Sequence, residues 1–101
     1  MWIAVMFDLP VDTKQARKEY ARFRKKLLNN GYLMLQYSVY ARPCPSLENA
    51  EVHKKRIKHH IPPNGNVRIV FFTDKQFEKM EVFYGKRQIE PEKQPEQLSF
   101  F

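Results

Sequence analysis

The sequence has little cysteine and no long hydrophobic run. Its one cysteine, Cys44, excludes an internal disulfide and gives no support for secretion. The apolar stretch at residues 2–7 is too short to span a membrane or to form a signal-peptide core, and no basic segment precedes it. These absences predict a cytoplasmic protein without a membrane association.

Acidic residues are also scarce. The 101 residues include 18 Lys and Arg but 11 Asp and Glu, for a formal net charge of +7. This excess suits a polyanionic partner such as nucleic acid, although many basic proteins bind none. The hydrophobic fraction of 43% is enough for one globular core, and so small a domain gains stability from oligomerisation.

Common enzyme motifs are missing: the glycine-rich nucleotide loops, H-E-x-x-H and G-x-S-x-G do not occur. Cys44 lies between two prolines, without a partner at catalytic or metal-binding spacing, which favours a structural thiol. In the basic run HKKRIKHH, residues 53–60, adjacent helical histidines point about 100° apart, which disfavours a zinc site. The run is instead a plausible phosphate-contacting surface.

Hydrophobic periodicity predicts an alternation of strands and helices. Residues 2–7 are apolar on both faces of a strand, and Asp12 or Thr13 would cap the helix that follows. Residues 32–43 predict two short strands, or one bent strand, with the break near Gln36. The other predicted elements are a first helix within 13–31 with Ala16, Tyr20, Phe23 and Leu27 on one face, a second helix at 47–61 with Leu47, Ala50, Ile57 and Ile61 on one face, a strand at 67–72, a short helix at 74–80 and a strand at 81–85.

This order predicts an α+β, ferredoxin-like split βαβ domain over residues 1–85, with both long helices on one face of an antiparallel sheet. Residues 86–101 predict a polar tail with an apolar end, LSFF. The first and fourth strands are apolar on both sides, so the second sheet face also needs a cover. We predict a homodimer; the alternative is cover by the 74–80 helix and the tail of the same chain.

The first helix carries a nearly single-signed set of charges, which weakens an isolated helix and suits a phosphate backbone. The set comprises Lys14, Arg17, Lys18, Arg22, Arg24 and Lys25, with Lys26 nearby. The candidate nucleic-acid-binding residues are Lys14, Arg17, Lys18, Arg24 and Lys25.

Asp8 follows the first strand and precedes Leu9-Pro10. One carboxylate is a poor Mg²⁺ site, but a symmetric dimer would present two, with waters and phosphate oxygens completing the shell. The residues leave two roles open for Asp8: metal ligand, or cap of the loop amides before the first helix.

Taken together, MFDLP, the basic helix ARKEYARFRKKLLNNGY, MLQYSVYAR and TDKQFEKM resemble the small CRISPR-associated adaptation protein family, often labelled CRISPR-associated endoribonuclease, in its type II-like form. The resemblance covers residues 1–85 well and the tail weakly. Many members have tyrosine immediately before the aspartate, whereas this chain has Phe7.

The resemblance implies a ferredoxin-like homodimer that works with the CRISPR integrase during spacer acquisition and binds duplex DNA or single-stranded RNA. It implies Asp8 as metal ligand, for Mg²⁺ or Mn²⁺, and Asp8 with Ser38 as the catalytic site of a metal-dependent endonuclease. It also implies that the apolar tail end hooks onto the integrase. The alternatives are a toxin-like endoribonuclease whose function is cleavage itself, and an RNA-recognition module without catalysis.

Overall fold

The structure, a computed structural model, describes residues 1–94. Its strands and helices follow the predicted order closely. They are β1 Trp2–Asp8, α1 Lys14–Asn29, β2 Leu33–Gln36, β3 Val39–Pro43, α2 Leu47–Lys58, β4 Asn66–Phe72, α3 Asp74–Glu78, β5 Val82–Tyr84 and β6 Arg87–Ile89.

The first four strands form one antiparallel sheet in the order β2-β3-β1-β4. Strand β1 is central and pairs with both β3 and β4. One face of β1, carrying Ile3, Val5 and Phe7, packs in a single core with residues of both α1 and α2. This confirms the ferredoxin-like α+β fold, because both long helices cover the same face of the sheet.

Helix α1 begins and ends where local chemistry predicts. The Thr13 hydroxyl accepts a hydrogen bond from the Ala16 amide, so Thr13 rather than Asp12 is the N-cap. Past the C-terminal end, Gly31 takes a φ of +83°, the left-handed conformation that glycine adopts without strain. Phe23 and Leu27 are fully buried, which confirms the predicted apolar face.

The segment at residues 32–43 forms two short strands and not one bent strand, which were the two predicted alternatives. β2 and β3 pair across a two-residue turn, Tyr37-Ser38, and their register shifts between Met34 and Gln36. Ser38 has a φ of +64°, and among the described residues it is the one non-glycine residue in the left-handed region. The break therefore lies just beyond Gln36.

Helix α2 is shorter than predicted and buries a different set of side chains. It ends at Lys58, three residues before the predicted end at 61, and Leu47 and Ile61 are exposed. The buried residues are Ala50, His53 and Ile57. The prediction was wrong about Leu47 and Ile61: Leu47 is the first residue of the helix, and Ile61 lies three residues beyond its end.

The second sheet face is partly covered by the chain itself. Phe77 of α3 stacks on Trp2 with ring centroids 3.9 Å apart and an interplanar angle of 5°. A capping box between Thr73 and Gln76 fixes the start of this short helix. Cover by the same chain, which we weighed against a partner copy, therefore exists at the Trp2 end of β1.

Beyond residue 85 the chain continues as a strand where we predicted a polar tail. β6 pairs antiparallel with β5 in a separate two-stranded sheet, turning at Gly85. Phe83 and Tyr84 of this hairpin are exposed. The apolar end LSFF lies outside the described residues.

Several polar groups are buried beneath α2. His53 is 7% exposed, and neither its Nδ1 nor the Tyr32 hydroxyl has a hydrogen-bond partner among residues 1–94. Burial raises the pKa of Tyr32 to about 12 and also raises the pKa of the Cys44 thiol. Cys44 is 2% exposed, as expected for a structural thiol, because a buried, protonated sulfur is a poor nucleophile.

Replacing Phe77 tests the cover over Trp2. We expect Phe77→Ala to lower the free energy of unfolding by about 3 kcal/mol, because it empties the space stacked on a buried indole. Trp2 is the sole tryptophan, so its fluorescence emission should shift to the red. Lys75→Ala, on the exposed side of the same helix, is the control. An unshifted emission spectrum in Phe77→Ala would show that Phe77 does not shield Trp2.

His53 should make folding pH-dependent. Burial lowers the pKa of His53, and the nearby Arg42 and Arg56 guanidinium groups lower it further. The unfolded chain therefore takes up the proton first as pH falls through about 6.5, and the folded state loses stability by up to about 1.4 kcal/mol per pH unit. Urea unfolding measured from pH 7.5 to 5.5 should show this slope. His53→Gln should flatten it, whereas His59→Gln, at an exposed position, should preserve it.

Candidate metal centre and nucleic-acid interface

Asp8 is the last residue of β1, and its side chain is exposed. Successive side chains of a strand alternate between faces, so Asp8 shares the second sheet face with Met6 and Ala4, whereas Phe7 points into the core beneath the helices. Pro10 then takes the chain away from the ladder. The structure thus places Asp8 at the end of the second face opposite to Trp2, away from the cover that α3 supplies.

Two polar residues of β4 join Asp8 there. Asn66 lies directly opposite Asp8, and Arg68 lies opposite Met6, so the Arg68 guanidinium is a diagonal neighbour of the carboxylate. These residues line an open groove of about 330 Å³. Asp8 makes no ion pair within residues 1–94, so its carboxylate is available to a ligand.

Sequence reasoning missed Asn66 and Arg68. The signal was available in NVRIVFF, where polar residues at 66 and 68 alternate with apolar residues at 67 and 69. Alternation assigns the two polar side chains to one face, but only the register between β1 and β4 brings them to Asp8.

Gly65 holds the β4 end of this groove close to β1. Its φ is +103°, and a Cβ built on it would lie 2.8 Å from the Asp8 carbonyl oxygen and 2.6 Å from a Leu9 methyl carbon. Only a residue without a side chain permits this approach. The Asn64-Gly65 turn therefore fixes the backbone of Asp8 from outside.

Ser38 supports the same strand from the opposite side. Its carbonyl oxygen accepts a hydrogen bond from the Phe7 amide at 3.0 Å, and its hydroxyl lies 3.0 Å from the Tyr20 hydroxyl of α1. The Ser38 carbonyl thus binds the backbone of the residue before Asp8, whereas the Ser38 hydroxyl contacts Tyr20 on the helix side of the sheet. In this geometry Ser38 positions Asp8 through the backbone.

Phe7 belongs to an aromatic cluster below α1. Its ring meets Phe23 and Tyr20 edge-on, with centroids 5.1 and 5.7 Å away, and stacks on Tyr40 at 5.8 Å. The Phe7 ring therefore belongs to the core beneath the helices, whereas the Asp8 side chain is exposed on the second face.

The five candidate nucleic-acid-binding residues do not form one group. Arg17 donates from its guanidinium to the Val11 carbonyl at 3.1 Å, and Arg24 donates from Nε to the Tyr40 hydroxyl at 2.8 Å. These two arginines therefore help hold α1 on the domain. All five are exposed and free of carboxylate partners among the described residues, so Lys14, Lys18 and Lys25 differ from the two arginines only in the hydrogen bonds that the arginines make.

Within residues 1–94 no three His, Cys, Asp or Glu side chains gather closely enough to hold a cation. In the same part of the chain, no helix has the length and apolar character needed to cross a bilayer.

Comparison with known proteins agrees with these features. The family model for CRISPR associated protein Cas2 matches residues 1–80. A protein named CRISPR-associated endoribonuclease Cas2 from Parvibaculum lavamentivorans is 52% identical over 101 residues, covering the whole of both chains. One of the same name from Flavobacterium psychrophilum is 50% identical over 101 residues, covering all of this chain and 88% of its own length.

A solved structure shares the fold. The crystal structure of Streptococcus pyogenes Cas2 at pH 6.5 superposes with a TM-score of 0.62 at 20% sequence identity, covering 83% of this chain and 100% of that one. The match by sequence extends across the domain that contains Asp8, Ser38 and the basic helix. The chain therefore belongs to the Cas2 family of CRISPR-associated proteins.

Proposed function

We propose that this protein is a dimeric nucleic-acid-binding scaffold of CRISPR adaptation, working with the CRISPR integrase on duplex DNA. We also propose that two Asp8 carboxylates, one from each copy, form a Mg²⁺ or Mn²⁺ site capable of phosphodiester hydrolysis. The observation that carries this proposal is the exposed Asp8 at the open end of an apolar sheet face.

The second sheet face supports the dimer. Alongside α3 it retains an apolar groove of about 300 Å³ between the sheet and the end of that helix, lined by Met6, Leu35, Val39, Phe72, Phe77, Lys79 and Met80 among others. Leu35 is half-buried on this face, whereas its neighbour Met34 is 45% exposed on the other. An apolar face of this kind is typically covered in solution, and a second copy offers a surface of the same composition.

The residues at the open end fit a shared cation. Asp8 and Asn66 supply oxygen atoms from adjacent strands, and Mg²⁺ binds through one or two carboxylates with waters and phosphate oxygens as its other ligands. Asp8 from both copies would supply the two carboxylates. When bound, the cation would polarise a phosphoryl oxygen and lower the pKa of a coordinated water.

The other residues of the groove would prepare the substrate. Arg68 would hold a non-bridging phosphate oxygen beside Asp8, since its planar guanidinium suits bidentate phosphate contact. Ser38 and Gly65 would keep the Asp8 backbone in place from the two sides. No histidine lies in the groove, so the chain itself would offer Asp8 alone as a proton acceptor.

Cleavage as the main function is the second candidate, favoured by the printed names of the relatives, which call them endoribonucleases. An RNA-recognition module has less support. Such modules stack bases on exposed aromatic residues of the sheet, whereas Trp2 is covered by Phe77 and only 2% exposed.

The dimer can be tested with neighbouring residues on opposite faces of β2. We expect Leu35→Lys to shift the protein from dimer to monomer in light scattering, because it places a charge in the apolar groove. Met34→Lys makes the same charge change on the other face and should leave the dimer intact. A dimeric Leu35→Lys variant with native circular dichroism would exclude this face as the interface.

The metal site can be tested by an isosteric change at Asp8. We expect Asp8→Asn to reduce Mg²⁺-dependent cleavage of single-stranded RNA at least about 100-fold, because the change removes both carboxylates of the dimer. Asp12→Asn, in the following loop, is the matched control. Calorimetric titration with Mg²⁺ measures binding independently of cleavage, and unaltered Mg²⁺ affinity in Asp8→Asn would contradict the site.

The same variant separates scaffold from nuclease. If the protein acts as a scaffold, Asp8→Asn should retain the complex with the integrase and duplex DNA and should sustain spacer acquisition in cells. Loss of acquisition with an intact complex would show instead that cleavage is the essential function.

A further inference from the structure

We infer that a groove on the side of α1 away from Arg24 binds a phosphate of the nucleic-acid backbone. The groove has a volume of about 230 Å³, and its polar lining comes from Glu19, Arg22, Lys26, His59 and His60. It lies between α1 and the segment that follows α2. This inference rests on the proposed binding of nucleic acid and adds to it a second contact surface, which adjoins Lys18 and Lys25 on the outer surface of α1.

The helical geometry of α1 separates the basic residues of the groove from Arg17 and Arg24. At about 100° per residue, Arg22 and Lys26 are one turn apart on one flank of the buried stripe, while Arg17 and Arg24 lie on the other flank. The contacts agree with this division, since Arg24 reaches Tyr40 on the β3 side whereas Arg22 and Lys26 face the end of α2. The basic residues of α1 thus lie on two sides of the helix, one facing β3 and the other facing the segment after α2.

The charges around the groove favour an anion. Arg22 and Lys26, which lie one helical turn apart, have no carboxylate within ion-pair distance among residues 1–94. Like charges at such spacing repel one another, and a phosphate would relieve that repulsion. Glu19 is the one acid of the lining, and Gln15 donates a hydrogen bond to its carboxylate at 3.2 Å.

The walls of the groove are well placed for a small anion. Buried Phe23 contributes to the lining from the core, and Pro62-Pro63 forms one wall with restricted backbone φ angles. The imidazoles of His59 and His60 add N–H donors beside the two cations. The two imidazoles follow α2 directly, and each would donate its own hydrogen bond to a phosphate oxygen.

The test compares duplex binding by dimeric full-length variants across a salt titration. We expect Arg22→Gln combined with Lys26→Gln to bind fluorescent duplex DNA about tenfold more weakly near 50 mM salt, with the log–log salt slope reduced by roughly 1 to 2. Lys75→Gln combined with Lys86→Gln removes the same charge at two exposed positions outside both grooves and should leave both quantities near wild type. Lys18→Gln combined with Lys25→Gln reports on the outer surface of α1.

The outcomes separate this inference from the proposed function. A wild-type protein that does not bind the duplex would overturn both. Wild-type binding, with an unchanged salt slope in the groove variant and a reduced one in the Lys18/Lys25 variant, would overturn the groove alone. Nuclear magnetic resonance of the histidine rings supplies a second readout: duplex DNA should shift the His59 and His60 signals. Shifts with inorganic phosphate but none with duplex would show a free-phosphate site and would also overturn the inference.

Discussion

The central strand β1 must be shielded from water on both sides, and the arrangement of the domain follows from this requirement. The helices α1 and α2 shield the side that carries Ile3, Val5 and Phe7. On the other side, Phe77 shields Trp2, but α3 has only five residues and does not reach the far end of the strand. The uncovered apolar surface therefore ends at Asp8. Whatever covers this surface also lies beside the Asp8 carboxylate.

Because side chains alternate along β1, the residues around Asp8 fall on two different faces of the sheet. Phe7, Tyr20 and Ser38 lie on the helix side and hold the strand by aromatic packing and by a backbone hydrogen bond. Asp8 and Arg68 lie on the open side, where a phosphate would approach. The residues that support the strand and those proposed to contact a ligand therefore lie on opposite faces of the sheet.

Local patterns in the sequence were enough to predict the order of elements from β1 to β5 and a helix cap at Asp12 or Thr13, because each depends on neighbours within a few residues, and the fold follows from that order. The partners of Asp8 depend on the register between β1 and β4, which are separated by both helices, so Asn66 and Arg68 were missed. The hydrogen bond of Arg24 likewise depends on a tertiary contact with Tyr40. Strand β5 was predicted, but β6 was missed because its sequence is polar and resembles an extended tail.

In the proposed dimer, Arg68 would also help to balance the negative charge of the two Asp8 carboxylates. Two Asp8 carboxylates brought close together repel each other, and either a cation or the neighbouring guanidinium groups must balance them. A phosphate that engages Arg68 withdraws that guanidinium from the carboxylates and adds negative charge of its own. Nucleic acid and divalent cation should therefore bind this end of the sheet cooperatively, since each supplies the charge that the other requires.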